Sequence, residues 1–245
     1  MKKLYHLGLP IAEPIDMGRL GNNSYVYLLL SWLDGEDAEA VLPKMSEEKQ
    51  YLLGVSAGRY LRQMHTVTAP SDMPWAELYQ QKVKRKIEGY RNCPVKLSND
   101  ATIIQFINEQ LHYLKDRVQT FQHGDYHLGN LIVTPEQNLA IIDFNRSSYG
   151  DPWEEFDRFI FTWRVSVPFA NGQIHGYFNN CVPEEFFHLL ALYSATNILS
   201  SIPWALAIGE DELKTMLMNA TQITDCFREF STPIPKWYKE PMTLA

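Results

Sequence analysis

Apolar residues near the start of the chain fall in short runs, and from residue 46 they recur mostly at helical spacing. Residues 2–7 read as the end of a helix stopped at Gly8, with Pro10 two residues beyond. Residues 11–17 predict a strand weakened by Pro14, residues 18–23 a turn, and residues 24–30 a strong strand by β-branched and aromatic content. Ser46 reads as an N-cap with Glu47 and Glu48 in the first turn; Leu52, Leu53, Tyr60, Leu61 and Met64 fall largely on one face. Gly54 and Gly58 cost that helix propensity and allow close backbone packing, and His65 near its end reads as structural. Residues 66–74 form a loop. Trp75, Leu78, Tyr79, Val83, Ile87 and Tyr90 mark the next helix, and its basic run Lys82-Val83-Lys84-Arg85-Lys86 is assigned to solvent. Residues 92–98 are a loop, after which Asn99 or Asp100 caps a helix with the stripe Ile103, Ile107, Leu111, Leu114 and Val118. Further on, residues 147–152 read as a loop and Trp153 opens an acidic helix. Pro183 opens another, which Pro203 breaks or kinks. A last helix from about Glu210 turns Leu213, Met216, Leu217, Ala220, Ile223 and Phe227 inward, and residues 233–238 make an extended surface tail.

The stretch 121–144, FQHGDYHLGNLIVTPEQNLAIIDF, breaks the helical pattern and carries the chemistry. It reads as a short strand, a polar loop, and a hairpin of two buried strands around a turn at residues 135–138. The hairpin would hold Asn130, at the start of one strand, near Asp143, at the end of the next, with Asp125 on the loop just before them. Two carboxylates and an amide converging on one spot form an oxygen-rich set suited to Mg²⁺.

Composition narrows the class. The 245 residues are 45% hydrophobic and 21% charged, which is globular rather than disordered and allows one large or two small domains. Three scattered cysteines without a C-x-x-C pair read as reduced thiols, which implies a cytoplasmic protein. No apolar run of about 18 residues and no signal peptide is apparent, so no membrane association is expected. The net charge of -7 argues against a nucleic-acid partner and tolerates a cationic one.

Asp125 and Asn130 are five residues apart, the separation of Asp and Asn in the protein-kinase catalytic loop, and Asp143-Phe144-Asn145 stands where kinases carry D-F-G. The loop His123-Gly124-Asp125-Tyr126-His127-Leu128-Gly129-Asn130 resembles the H-G-D-x-H-x-x-N signature of the aminoglycoside phosphotransferase and choline kinase-like family. The resemblance implies an ATP- and Mg²⁺-dependent kinase acting on the hydroxyl of a small molecule. Asp125 would be the base, Asn130 and Asp143 the Mg²⁺ ligands, and His123 and His127 residues that shape the loop. It places the hinge that meets adenine at Leu30, Ser31, Trp32 and Leu33, although those residues alone read equally well as a linker. It further expects an acid that braces the catalytic loop, by offset Glu155, with Asp157 as the alternative. A lone H-G-D is most often a turn with a capping Asp; Asn130 and Asp143 argue against that here. A two-metal phosphohydrolase would need an upstream D-x-H and further His ligands, which are missing.

The expected fold is therefore α+β and protein-kinase-like. Residues 1–34 would be a partial N-terminal β lobe with the hinge, and residues 35–245 a mainly helical C-terminal lobe with a catalytic β-hairpin. Neither a G-x-G-x-x-G loop nor a strand Lys precedes Trp32, so the chain is expected to begin partway through the small lobe. Three function classes follow: a small-molecule phosphotransferase, a pseudokinase-like fragment or binding protein, and, remotely, a metal-dependent phosphohydrolase. Acidic residues at 154–157, 184–185 and 210–212 fit an amine-bearing substrate, and the exposed edge of the N-terminal two-stranded ribbon would invite self-association.

Overall fold

The computed structural model describes residues 1–21, 25–70 and 73–241. Asn22, Asn23 and Ser24 of the expected turn and strand, and Ser71 and Asp72 of the expected loop, lie outside the described residues. The chain opens with α1 (Lys2–His6), which turns at Gly8 as its sequence predicts. An antiparallel ribbon follows, β1 (Pro14–Leu20) with β2 (Tyr25–Leu30). The first strand therefore starts at the proline rather than three residues before it. A missing N–H costs nothing at the first position of a strand, and the register then carries Gly18 and Arg19 into pairing with Tyr27 and Val26. Ile15, Met17, Val26, Leu28 and Leu29 of the ribbon are exposed.

The division drawn at residue 34 is not a packing boundary. Leu4, Leu9 and Ile11 belong to the same core as the helices that follow, and Ile11 bridges Ile141 in parallel. The short β3 (Glu36–Asp37) and α2 (Ala38–Val41) then lead to α3 (Glu47–Met64), where the Ser46 hydroxyl accepts from the Lys49 N–H as an N-cap. On α3 the buried face is Tyr51, Leu53, Ala57, Leu61 and Met64, while Leu52 points to solvent. After α4 (Trp75–Asn92) comes α5 (Asp100–Gln110), and the stripe predicted to run on to Val118 stops early. The chain tightens into a 3-10 turn at Leu111–Leu114, and Val118 is exposed.

The central strands are β4 (Thr120–Gln122), β5 (Leu131–Val133), β6 (Leu139–Ile141) and β7 (Ser148–Gly150). Two antiparallel units result. β3, β5 and β6 form a three-stranded sheet around the predicted hairpin, and β4 pairs with β7, so residues 148–150 are a strand where a loop was expected. That local sequence, Ser-Tyr-Gly, has no alternation to reveal it; its partner is supplied by the tertiary fold. Residues Pro152–Arg158 coil as a 3-10 segment that leads to α6 (Ile160–Trp163) and α7 (Val167–Phe178).

α7 packs against α3 with backbone in direct contact. A Cβ on Gly58 would collide with the Gln173 carbonyl, and one on Gly176 with the Val55 carbonyl. α8 (Glu184–Ile208) runs unbroken through Pro203, and α9 (Glu210–Cys226) packs along it. By length and composition α8 could cross a bilayer, contrary to the reading that no stretch could. Its apolar surface is instead the centre of this fold, with 67% of the relevant window buried. The expected surface tail also turns inward: Trp237 is buried against Phe159.

Candidate active site

The hairpin and the loop before it build the site through backbone as much as side chains. His123 is fully buried; its Nδ1 accepts the Asp125 N–H at 3.3 Å, so its Nε2 carries the proton and donates to the Ile142 carbonyl at 2.8 Å. That ring ties the loop to the residue just before Asp143. Gly124 follows with φ of +84°, and its α-carbon lies so close to the Arg146 carbonyl that a Cβ would not fit. Glycine alone meets both demands.

Glu155 takes both loop amides. Its Oε2 accepts the His123 N–H at 2.6 Å and its Oε1 the Gly124 N–H at 2.7 Å, within a side chain that is 1% exposed. Asp157 makes no such contact; it accepts from the Asn197 amide at 2.7 Å and lies 3.5 Å from Arg158.

The Asp125 carboxylate faces the cleft with no direct hydrogen bond among the described residues. Three nitrogens stand around it slightly too far to bond: His127 Nε2 at 3.6 Å, Arg158 Nε at 3.6 Å and Arg146 Nε at 3.7 Å. His127 caps the short turn Leu128–Asn130, where its Nδ1 accepts the Gly129 N–H. Burial pushes its pKa down against the pull of Asp125, which favours the neutral ring with Nε2–H toward the carboxylate. Asn130 donates its amide to the Asp125 carbonyl at 2.8 Å, which leaves Oδ1 without a partner among the described residues, while its backbone carbonyl accepts from Ile142 N–H. Asp143 is exposed, in the left-handed region at φ 59°, and among the described residues bonded only to the Asn145 N–H at 3.4 Å. Among the described residues no group of three His, Cys, Asp or Glu converges. One free amide oxygen and one exposed carboxylate, just before β5 and just after β6, instead match an ion that keeps several waters and binds phosphate oxygens, the habit of Mg²⁺.

The proposed hinge has contacts of its own. Leu30 ends β2, Ser31 exchanges two hydrogen bonds with Glu13, and Trp32 is 86% exposed with its indole N–H on Asp34. Leu33 adjoins it in the same extended segment.

A cleft of about 770 Å³ opens beside Asp125, walled by α4, the Pro152–Arg158 segment, α8 and α9. Its lining includes residues that the sequence assigned elsewhere. Lys82 and Lys86 look into this cleft rather than out to solvent, and Lys82 pairs with Glu154. Their i,i+4 spacing on the helix beside Val83 and Ile87 was the available signal. Met216, placed in the core by its spacing, also lines the cleft. Of the acids expected to receive an amine, Glu154 is held by Lys82, Asp157 by Asn197 and Arg158, and Glu184 and Glu185 are exposed outside the cleft; Glu212 lines its far wall. Arg146 and Arg158 were not singled out by any motif.

The family model described as the phosphotransferase enzyme family, APH, matches residues 1–188. No curated relative matches the sequence. Among solved structures, a choline/ethanolamine kinase family protein from Mesorhizobium loti superposes with a TM-score of 0.65 at 13% identity, covering 94% of this chain and 78% of that one. The GDP complex of wild-type aminoglycoside 2'-phosphotransferase-IIIa gives 0.66 at 10% identity, covering 89% and 76%. The ternary complex of streptomycin, ATP and APH(2")-IIa gives 0.63 at 15% identity, covering 90% and 77%. At these identities the likeness establishes the kinase-like α+β fold.

Proposed function

The chain belongs to the phosphotransferase enzyme family, and from that membership we propose that it transfers the terminal phosphoryl group of ATP to a hydroxyl of a small molecule. The observation that carries this reading is an unbonded Asp125 carboxylate facing the cleft on a loop whose two preceding amides are clamped by buried Glu155. The acceptor's O–H donates to Asp125. As the new O–P bond forms and the bond to ADP breaks, Asp125 takes the proton. His127 and Arg158 keep the carboxylate aimed without bonding it directly, so the incoming hydroxyl has lone pairs to use. Asn130 Oδ1 and Asp143 are the groups that would hold Mg²⁺, which when bound neutralises charge on the phosphates. The segment Leu30, Ser31, Trp32 and Leu33 would meet the adenine ring.

A second reading, a nucleotide-binding protein without turnover, draws on one fact: neither β1 nor β2 carries a lysine or a glycine-rich loop to clamp phosphates. One pair of variants decides. Asp125→Asn keeps the shape and cannot accept the proton, so turnover should fall about 10²- to 10⁴-fold with ATP affinity retained. Asp143→Ala should abolish Mg²⁺-dependent nucleotide binding in a protein that still unfolds cooperatively. Turnover by Asp125→Asn equal to the parent's moves the base elsewhere, and Mg·ATP binding without any turnover in the parent supports the second reading.

A further inference from the structure

The cleft beside Asp125 contains more cationic hydrogen-bonding capacity than its own carboxylates use. Lys86, on α4, lines it and has no hydrogen bond or ion pair among the described residues. Arg158, from the segment below, approaches Asp125 and Asp157 only at 3.6 and 3.5 Å through Nε, and that buried nitrogen has no hydrogen-bond partner. The acids nearby are otherwise engaged: Glu154 with Lys82 and Gln122, Glu155 with the two loop amides, Asp157 with Asn197. A buried guanidinium nitrogen left with ion pairs but no hydrogen bond costs free energy, and a ligand that supplies an acceptor recovers it. Lys86 feels Lys82 and then Arg158 as like charges, and Glu154 and Asp157 as opposite ones, so these groups share one region of the cleft.

Resting on the reading of this site as a phosphotransferase, we propose that its acceptor carries an anionic group, a carboxylate or a phosphate, received by Lys86 and Arg158, on the same small molecule whose hydroxyl meets Asp125. Arg158 Nε lies 3.6 Å from Asp125, so the anion and the hydroxyl would be received in the same cleft. Trp204 and Phe161, which also line the cleft, offer apolar faces to the carbon skeleton. Burial holds the Lys86 ammonium at a pKa of about 8, so it is still charged at neutral pH.

The test uses a matched polyol series: D-gluconate, neutral D-sorbitol, and cationic D-glucamine, with sorbitol 6-phosphate as the phosphate-bearing arm. Binding is read by calorimetry, independent of turnover, and phosphoryl transfer by ADP release. The acid or the phosphate should bind at least tenfold more tightly than sorbitol, and whichever wins identifies the anion. Lys86→Met should weaken that ligand roughly 10- to 100-fold, the loss of one charge-assisted hydrogen bond, and by at least tenfold more than it weakens sorbitol. Lys86→Arg should keep most of the affinity. Equal binding of all members, preference for glucamine, or a Lys86→Met variant with unchanged discrimination overturns the proposal. Because binding is scored separately, a protein that holds the anion yet transfers no phosphate refutes the phosphotransferase reading alone.

Discussion

The His123–Asn130 loop stands or falls on Glu155, and replacing it by glutamine isolates that dependence. The carboxylate accepts the His123 and Gly124 N–H groups through its two oxygens, at 2.6 and 2.7 Å, in a side chain 1% exposed. Glutamine keeps one acceptor and presents an NH₂ where the other was, donor facing donor. One hydrogen bond to a charged group is lost, about 1.5–3 kcal/mol, and a buried amide is left unsatisfied, about 1–3 kcal/mol more. Water cannot reach the site to replace either. Glu155→Gln should therefore destabilise the protein by about 3–5 kcal/mol in urea unfolding, lowering Tm by roughly 6–20 °C for a chain of this size. The same loop carries Asp125, so a positioning error on the order of 1 Å should also cost about 10²-fold in kcat, with a much smaller change in KM for ATP. The control is Asp157→Asn, which gives up contacts with Asn197 and Arg158 but none with the loop amides. It should cost about 1 kcal/mol. If Glu155→Gln loses less than about 0.5 kcal/mol, or Asp157→Asn loses more than it does, the reasoning is refuted and the brace is Asp157.

The remaining predictions concern a buried pair and a titration. Arg117 binds Asp151 through Nε and Nη2 at 2.7 and 2.9 Å and stacks on Trp153, while Tyr193 donates to the same fully buried carboxylate. Arg117→Met strands that charge and should cost about 3–5 kcal/mol in urea unfolding; a loss below 1 kcal/mol would mean that Tyr193 and the Trp153 N–H suffice. For the acid-bearing acceptor, Lys86 is charged below about pH 8 and neutral above it, with Lys82, Glu154, Asp157 and Arg158 facing it and Glu212 on the far wall. Its KM should be flat to about pH 8 and then rise, approaching tenfold per pH unit, and that rise should disappear in Lys86→Arg. A flat profile to pH 9.5 in the parent protein would remove Lys86 from the binding step.

Local chemistry made much of this protein legible. The loop from His123 to Asn130 and the Asp143 that follows are close in sequence and joined by a two-strand hairpin, and the fold ties that loop to Ile142 through His123 and the Asn130 carbonyl. Ser46 as a cap, and Gly54 and Gly58 as a close-packing face, are likewise decided within one helix. The offset singled out Glu155, and the folded chain shows its two oxygens on two backbone amides. What spacing could not supply was whatever depends on a distant partner. Ser148-Tyr149-Gly150 is a strand because β4 lies beside it. Trp237 is buried because Phe159 is there, and Lys82 is paired because Glu154, 72 residues away, reaches it. The run Lys82–Lys86 was assigned to solvent because a charge run on a helix usually is solvated. Burial is a property of what packs opposite, and the walls built by α8 and α9 turned two of those lysines into the lining of the cleft. The candidate groups of the site were thus legible in the sequence, while the walls of the cleft around them were decided by tertiary packing.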